Sequence, residues 1–458
     1  MEIKYYDLTS AQQLLFFSQK YTIRKQVNNV CTSAVLDAEL DFNVLRKAVQ
    51  KAYERNDALR VHIVKLGKEM KQYFAEYEEP NIEYLDFSGK TLEKMEKKLH
   101  KIAKKRITVF GKQMSKVYML RTYDGKCGLY FVVSHMIMDS WAITTFFKDV
   151  LSIYNSMVKG TEMPKPINSY EDLLIKELNY RNTASYKRSR EFFEKMFTED
   201  EPIYTSINGY EVLEKCRKKK KNLSLRYAFS GLDSLIFTKA RNTMLQVPKE
   251  LVQKMESFCE ANKLTMQSLV LLAIRSYFSK INRNEKDISL HTVVARRGSI
   301  AEKNAGGTRV HFLPFRTIIE ESDTFKEACE TISEKQNSIY RHADMDPLEV
   351  MGMWKKAYNI PQAGTYLGAS ITFQPVKLVS PDGINIETKW YSNGTASQPI
   401  YFTVMDGDGT GALKMYYEYQ TSKVSTDTIT RMHSYMLKVL EEGVTKEDIT
   451  IGDILKLE

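Results

Sequence analysis

His135 is the residue of this sequence best suited to moving a proton. It stands in Ser134-His135-Met136-Ile137-Met138-Asp139-Ser140-Trp141, after the apolar run Leu129–Val133 and before the helical pattern Trp141–Met157. An apolar run this short reads as a buried strand. His135 therefore falls on a strand-to-helix turn, where a side chain can face a cleft rather than a core. A neutral imidazole there can take a proton from an attacking amine or hydroxyl near neutral pH. Asp139 lies four residues on, at the mouth of the helix, where negative charge and N-capping are both favoured. The N–H groups of Ser140 and Trp141 would point into the same cleft and could stabilise an oxyanion on a carbonyl under attack. The spacing alone also suits a simpler arrangement, a hydrogen-bonded structural histidine followed by a helix-capping aspartate.

The elements that must position these residues follow from periodicity. Leu8–Tyr21 reads as a helix with Thr9 or Ser10 as N-cap. Asn29–Leu36 reads as a strand, Phe42–Glu54 as an amphipathic helix, and Arg60–Val64 as a second strand. Gly89–Arg106 is a basic helix with Leu92, Met95, Leu99 and Ile102 on one face and most of its lysines elsewhere. That pattern fits a solvated face over a core stripe, or a docking face for an acidic protein. The pattern loosens over 199–222, where Arg217–Lys221 forms a charge run suited to a solvated loop. Helices over Thr265–Phe278, Phe325–Tyr340 and Thr426–Leu440 then alternate with a strand at Ile288–Ala295. Tyr401–Met405 and Leu413–Tyr419 flank Asp406-Gly407-Asp408-Gly409 as in a hairpin. Helices and strands mix throughout, so the class is α/β or α+β in two similar-sized domains. The expected division is 1–180, a linker at 181–225, and 226–458.

Composition narrows the function classes. The chain has 458 residues, 43% hydrophobic and 27% charged, as in an ordinary globular protein. Its 67 Lys and Arg against 57 Asp and Glu give a net charge of +10, which favours acidic partners by steering. No interleaved Arg/aromatic signature points to nucleic acid. The densest apolar run, Leu269–Ile274, is far below the ~18 residues that suggest a membrane span. The start Met1-Glu2-Ile3-Lys4 lacks a secretory pattern. Cys31, Cys127, Cys216, Cys259 and Cys329 are scattered, without Cys-x-x-Cys, as expected for free thiols in a reducing cytoplasm. No clustered ligands predict a zinc site.

Taken together, the motifs resemble those of condensation domains from nonribosomal peptide synthetases, in the chloramphenicol acetyltransferase-like superfamily. Ser134-His135-x-x-x-Asp139-Ser140-Trp141 is similar to their His-His-x-x-x-Asp-Gly-Trp. Leu8-Thr9-Ser10-Ala11-Gln12 resembles the opening helix motif, and Arg55-Asn56-Asp57-Ala58-Leu59-Arg60 the Arg-His-x-x-Leu-Arg segment. Tyr170-Glu171-Asp172 matches Tyr-x-Asp. Gly307 through Leu313-Pro314-Phe315-Arg316 resembles Gly-x-x-Val-Asn-x-Leu-Pro-Leu-Arg, with His311 in place of Asn. His342-x-Asp344-x-x-Pro347-Leu348-Glu349 approximates His-x-Asp-x-Pro-x-Glu. The order and spacing of these pieces cover nearly the whole chain.

The resemblance implies a V-shaped pair of acetyltransferase-like subdomains with a tunnel between them. It implies that His135 is the catalytic histidine and that Asp139 shapes its loop through an arginine. By register against Gly307 that arginine is Arg297, with Arg296 as the alternative. Ser134 replaces a histidine that is usually structural. Ser140 replaces a glycine, placing a hydroxyl where the family keeps an acceptor channel open beside Trp141. Met136 and Met138 fit buried core or tunnel wall. Ser134 also breaks the Asp-x-x-x-x-Asp of heterocyclising relatives.

The implied chemistry is acyl transfer to a small amine, or less readily an alcohol, in nonribosomal peptide or related biosynthesis. The donor would be a phosphopantetheine-linked thioester on an acidic carrier protein or coenzyme A, with no permanently bound cofactor and no metal. Two alternatives are a catalytically silent carrier-binding module and a coenzyme A-dependent O-acyltransferase. Gly231-Leu232-Asp233-Ser234-Leu235 mimics a carrier attachment site but sits inside the two-domain pattern. The expectation is a free-standing cytoplasmic monomer.

Overall fold

A computed structural model describes residues 3–211, 214, 236–361, 365, 367–374, 378, 383–446 and 448–458. Cys216, the Arg217–Lys221 run and the Gly231–Leu235 segment lie outside the described residues.

In chain order the strands are β1 (Tyr6–Asp7), β2 (Asn29–Leu36), β3 (Val61–Leu66), β4 (Glu69–Phe74), β5 (Glu83–Asp86), β6 (Ser115–Arg121) and β7 (Cys127–Ser134). They continue as β8 (Ala240–Val247), β9 (Asp287–Val294), β10 (His311–Ile318), β11 (Ala369–Gln374), β12 (Ile386–Trp390), β13 (Ile400–Asp406) and β14 (Leu413–Gln420). The helices are α1 (Ser10–Tyr21), α2 (Phe42–Arg55), α3 (Leu92–Ala103), α4 (Ser140–Lys159), α5 (Tyr170–Leu178) and α6 (Ala184–Met196). Further along come α7 (Lys249–Asn262), α8 (Met266–Ile281), α9 (Ile300–Lys303), α10 (Phe325–Arg341), α11 (Pro347–Ala357), α12 (Thr426–Thr445) and α13 (Ile451–Lys456).

Two compact units divide the chain. The first takes Met1–Tyr186, Ala295–Val310 and Lys377–Thr395; the second takes Lys187–Val294, His311–Val376 and Ala396–Glu458. The sequence-based halves are continuous, whereas the first unit also draws two stretches from beyond residue 226. Within the expected linker, residues 184–196 are the helix α6.

The first unit is built on a five-stranded sheet in the order β12-β2-β7-β6-β5, beside a three-stranded sheet β1-β4-β3. β7 pairs antiparallel with β2 on one side and β6 on the other, and every one of its residues is buried. That central place is why Leu129–Val133 is apolar on both faces rather than alternating. On one face Phe131 and Val133 pack in a core with Leu45 and Val49 of α2 and Phe146 and Val150 of α4. On the other, Tyr130 and Val132 pack with Met95, Leu99 and Ile102 of α3. Leu92, placed on that apolar face by spacing, is 46% exposed. Of the lysines expected off the stripe, Lys97, Lys98, Lys101, Lys104 and Lys105 are all exposed.

Local signals set the helix ends that matter most. Thr9 and Gln12 form a reciprocal capping box at the start of α1. Asp139 caps α4, and Gly160 ends it in the left-handed region at φ 64°.

The second unit carries a six-stranded mixed sheet in the order β10-β9-β11-β13-β14-β8. The hairpin expected around Asp406–Gly409 is the antiparallel pair β13–β14. Leu313, Ile371, Phe402 and Tyr417 lie buried on one face, where Tyr417 meets His433 of α12 and Thr292 meets Tyr340 of α10. No helix among the described residues is long and apolar enough to cross a membrane.

Candidate active site

β7 ends at Ser134 and α4 begins at Ser140, so residues 135–139 must reverse from strand to helix within one turn. Ser134 closes that turn. Its carbonyl accepts from the N–H groups of Ile137 (3.1 Å) and Met138 (3.3 Å), and its Oγ from that of Met136 (3.3 Å). Met136, Ile137 and Met138 are fully buried, which settles the two methionines as core. Their burial pins the turn while His135, one residue earlier, stays half-buried.

The His135 N–H donates to the Asn28 carbonyl at 2.7 Å, and Nδ1 lies 3.4 Å from Thr308 Oγ1. With Nδ1 donating to the Thr308 hydroxyl oxygen, the lone pair is on Nε2. Among the described residues no protein group hydrogen-bonds Nε2. Burial holds the imidazole pKa below the usual 6.5, and the Asp139 charge opposes that shift to a smaller extent. The ring is therefore a neutral base at pH 7.

Asp139 is fully buried and fully engaged. Oδ1 accepts from Ala142 N–H (2.8 Å) and Arg297 Nη2 (3.0 Å), and Oδ2 from Arg309 N–H (3.0 Å) and Arg297 Nη2 (3.1 Å). Arg297 spends its other contacts on the carbonyls of Glu302, Ala305, Gly306 and Gly307. A carboxylate so occupied has no capacity left for proton transfer; it clamps the 295–310 stretch against the start of α4. Arg296 is elsewhere: Nη2 donates to Glu177 Oε1 (2.9 Å) and Nε to the Arg309 carbonyl (2.7 Å). Arg309 in turn donates from Nε to the Arg296 carbonyl and pairs with Glu302 at 3.2 Å.

Gly307 lets this stretch approach. Its φ is +89°, and a Cβ there would lie 2.1 Å from the Tyr170 ring. Its carbonyl accepts from Asp139 N–H at 3.3 Å, and it bridges Met138 as in a parallel sheet. Tyr170 is placed by Asp57, whose carboxylate accepts from the N–H groups of Tyr170 (2.9 Å) and Glu171 (3.0 Å) at the start of α5. The Arg55–Arg60, Tyr170–Asp172 and Gly307 motifs thus meet around one loop.

Ser140 and Trp141 occupy the first turn of α4, where backbone N–H groups have no acceptor within the helix. The Trp141 indole donates to the Lys303 carbonyl at 2.8 Å, so it anchors α9 to α4. Sequence reasoning did not find Thr308, Arg309 or Glu177. Their only signal was proximity to the Gly306-Gly307 pair or to Tyr170. No group of three or more His, Cys, Asp or Glu among the described residues could hold a metal ion.

A family model described as condensation domain matches residues 2–456. The chain belongs to the condensation domain family. Condensation domains are acyltransferases that form amide bonds. One of the plipastatin synthase proteins of Bacillus subtilis (strain 168) is 24% identical over 447 residues, covering 96% of this chain and 16% of that protein. Surfactin synthase subunit 1 of the same strain is 23% identical, covering 99% of this chain and 12% of that protein. This condensation domain therefore spans less than a fifth of the length of either relative. Among solved structures, the first condensation domain of the calcium-dependent antibiotic synthetase, in complex with substrate analogue 2a, is similar with a TM-score of 0.82 at 15% identity. That match covers 99% of this chain and 100% of the other. VibH, an NRPS condensation enzyme, is similar with a TM-score of 0.73 at 16% identity, covering 95% of each chain. The fold of this condensation domain is the one those structures share.

Proposed function

We propose that this condensation domain transfers an acyl or aminoacyl group from a phosphopantetheine-linked thioester to an amine. The observation that carries the proposal is His135: a neutral, half-buried imidazole on a clamped turn, with Nε2 unpartnered among the described residues. The amine nitrogen attacks the thioester carbonyl while Nε2 takes its proton. The tetrahedral oxyanion is stabilised by the first-turn N–H groups at Ser140 and Trp141. The carbon–sulfur bond then breaks, and the proton held by His135 passes to the departing thiolate. Asp139 and Arg297 hold the turn and take no part in proton transfer. Ser140 stands beside the acceptor and narrows its range.

Solved relatives support a thioester donor: the starter condensation domain of rhizomide synthetase RzmA was solved in complex with C8-CoA. The net charge of +10 and the exposed lysines of α3 suit an anionic donor, an acidic carrier protein or coenzyme A. Four buried free cysteines, Cys31, Cys127, Cys259 and Cys329, fit work in a reducing cytoplasm.

The test compares wild type with His135→Ala on a panel of acyl thioesters and amines, with product read by mass spectrometry. Wild type is expected to form amide, and His135→Ala to be slower by roughly 10²–10⁴-fold with an unchanged melting temperature. Equal rates would remove the catalytic assignment. An inactive wild type that still binds a carrier would make the domain a binding module.

A further inference from the structure

Two stretches of the first unit carry cations and no carboxylate: neither 8–36 nor 97–123 contains an Asp or Glu. The fold brings them together. Asn29, at the start of β2, donates from Nδ2 to the carbonyls of Ala103 (2.9 Å) and Lys105 (2.7 Å), where α3 ends. Asn28 donates from Nδ2 to the Leu15 carbonyl of α1 at 2.8 Å, and its own carbonyl accepts from the His135 N–H. The end of α1, the end of α3 and the His135 turn are thus pinned to one another within the first unit.

Along this surface runs a row of rings. Phe110 meets Phe16 (centroids 6.4 Å apart), Phe16 meets Phe17 (6.2 Å), and Phe17 stacks on Tyr21 (6.3 Å). Phe17 is exposed, Phe110 is 48% exposed, Tyr21 58% and, two residues on, Ile23 65%. Single exposed apolar residues are ordinary, but a row in mutual contact marks a surface that something else covers. Exposed cations flank it: Lys20 and Arg24 around the end of α1, Lys104, Lys105 and Arg106 just past α3, and Lys112 after Phe110. Lys20 Nζ lies over the Tyr21 ring, 5.4 Å from its centroid. Among the described residues no carboxylate pairs with any of these six. Lysines elsewhere are paired, as Lys71 is with Asp7, Lys126 with Glu387 and Lys286 with Glu320.

The residue types decide what covers this face. Protein interfaces favour Arg and are poor in Lys, because a guanidinium presents a fixed fork to a fixed carboxylate. Four of the six cations here are lysines, point charges suited to a fluid layer of phosphates. Aromatic and aliphatic side chains beside Lys and Arg are the composition that settles at the boundary of headgroups and acyl chains. We propose that this face of the first unit docks on an anionic lipid bilayer. Phe17, Tyr21, Ile23 and Phe110 enter the boundary layer, and the flanking cations lie among the lipid phosphates. Docking of this kind is peripheral and needs no membrane-spanning helix. The proposal goes beyond the acyl transfer above and uses none of the residues that carry it.

The test sediments the full chain with vesicles of phosphatidylcholine, either pure or with about one-third phosphatidylserine. The protein is expected to bind the anionic vesicles, to bind them less as salt rises, and to leave the pure phosphatidylcholine largely free. Lys104→Gln/Lys105→Gln is expected to weaken binding about 30-fold, from roughly fivefold for each charge lost near the surface. Ile23→Ser/Phe110→Ser is expected to weaken it by about tenfold or more, since buried apolar area is the part that salt does not screen. All four positions are exposed, so urea midpoints are expected to stay unchanged. The added fluorescence of Tyr21→Trp, read against wild type, is expected to shift to the blue on anionic vesicles and to be quenched by brominated acyl chains.

No binding to anionic vesicles at low salt would overturn the proposal. So would binding that survives both double variants, or a Tyr21→Trp signal that neither shifts nor is quenched. An acidic acyl carrier protein is titrated in parallel. If it binds through these residues and the anionic vesicles do not, the face docks a protein and the bilayer is ruled out. None of these measurements reads amide formation, so they stand or fall apart from the transfer reaction.

Discussion

The chemistry of His135 depends on which nitrogen holds the proton and on how readily the ring charges. Burial disfavours the imidazolium more than the Asp139 charge favours it, so the folded-state pKa lies below 6.5. The base form then persists to lower pH than in a free histidine. Measured as kcat at saturating amine, so that protonation of the free acceptor does not enter, the acid limb of amide formation is expected to have its midpoint below 6.5. A pH–rate profile whose acid limb has its midpoint at or above 6.5 would contradict this. Asp139 makes a second prediction. Arg297 and Asp139 are paired with side chains 1% and 0% exposed. Removing one partner strands the other charge in the interior, which costs about 3–5 kcal/mol. Asp139→Ala should lose that much in urea denaturation, and a loss below about 1 kcal/mol would show that the clamp is not structural. The His-x-x-x-Asp spacing and Arg297 were legible in the sequence. Thr308 was not, because nothing along the chain links it to His135; only the return of residues 295–310 does.

That returning stretch acts as an element without being a helix or a sheet. It is held by Arg297 from within, by Asp139 from α4, and by the Tyr170 ring packed over Gly307. Alanine at 307 would meet both a left-handed backbone and the Tyr170 ring. Gly307→Ala should therefore destabilise by about 2–4 kcal/mol. The double variant Gly307→Ala/Tyr170→Leu should lose less than the two singles added, since both act on one contact. Full additivity in a thermal-denaturation cycle would refute the contact as the cause. Helix and strand identities were readable because capping and periodicity are local. Asn29–Leu36 appeared in full, and Thr9, Asp139 and Gly160 cap as their residue types demand. Leu92 misled because spacing says which side of a helix a residue occupies, not how far the neighbouring sheet extends beneath it.

Across the whole molecule, histidine burial sets the response to acid. Five of the seven histidines, His62, His135, His291, His342 and His433, have pKa values lowered chiefly by burial. Below pH 6.5 the unfolded chain binds protons that the folded chain refuses, so stability rises with pH across the window and is lost as pH falls. The window runs from about 6.5 to the value of about 4 reached by His291. Urea midpoints should drop steadily from pH 7 to 4.5, with part of the drop removed in His291→Leu; a flat profile would rule this out. Composition and periodicity were enough for a mixed α/β class, and the resemblance of the motifs in order pointed to a condensation domain and to His135, Asp139 and Arg297, with Arg296 as the alternative, because motifs are read from residue type and order along the chain. Two things came only from folding. One is the return of residues 295–310 and 377–395 to the first unit. The other is the parallel pairing that sets His291 beside Ser370. Both rest on pairings between segments far apart in sequence, and strand register and long-range return carry no local periodic signal.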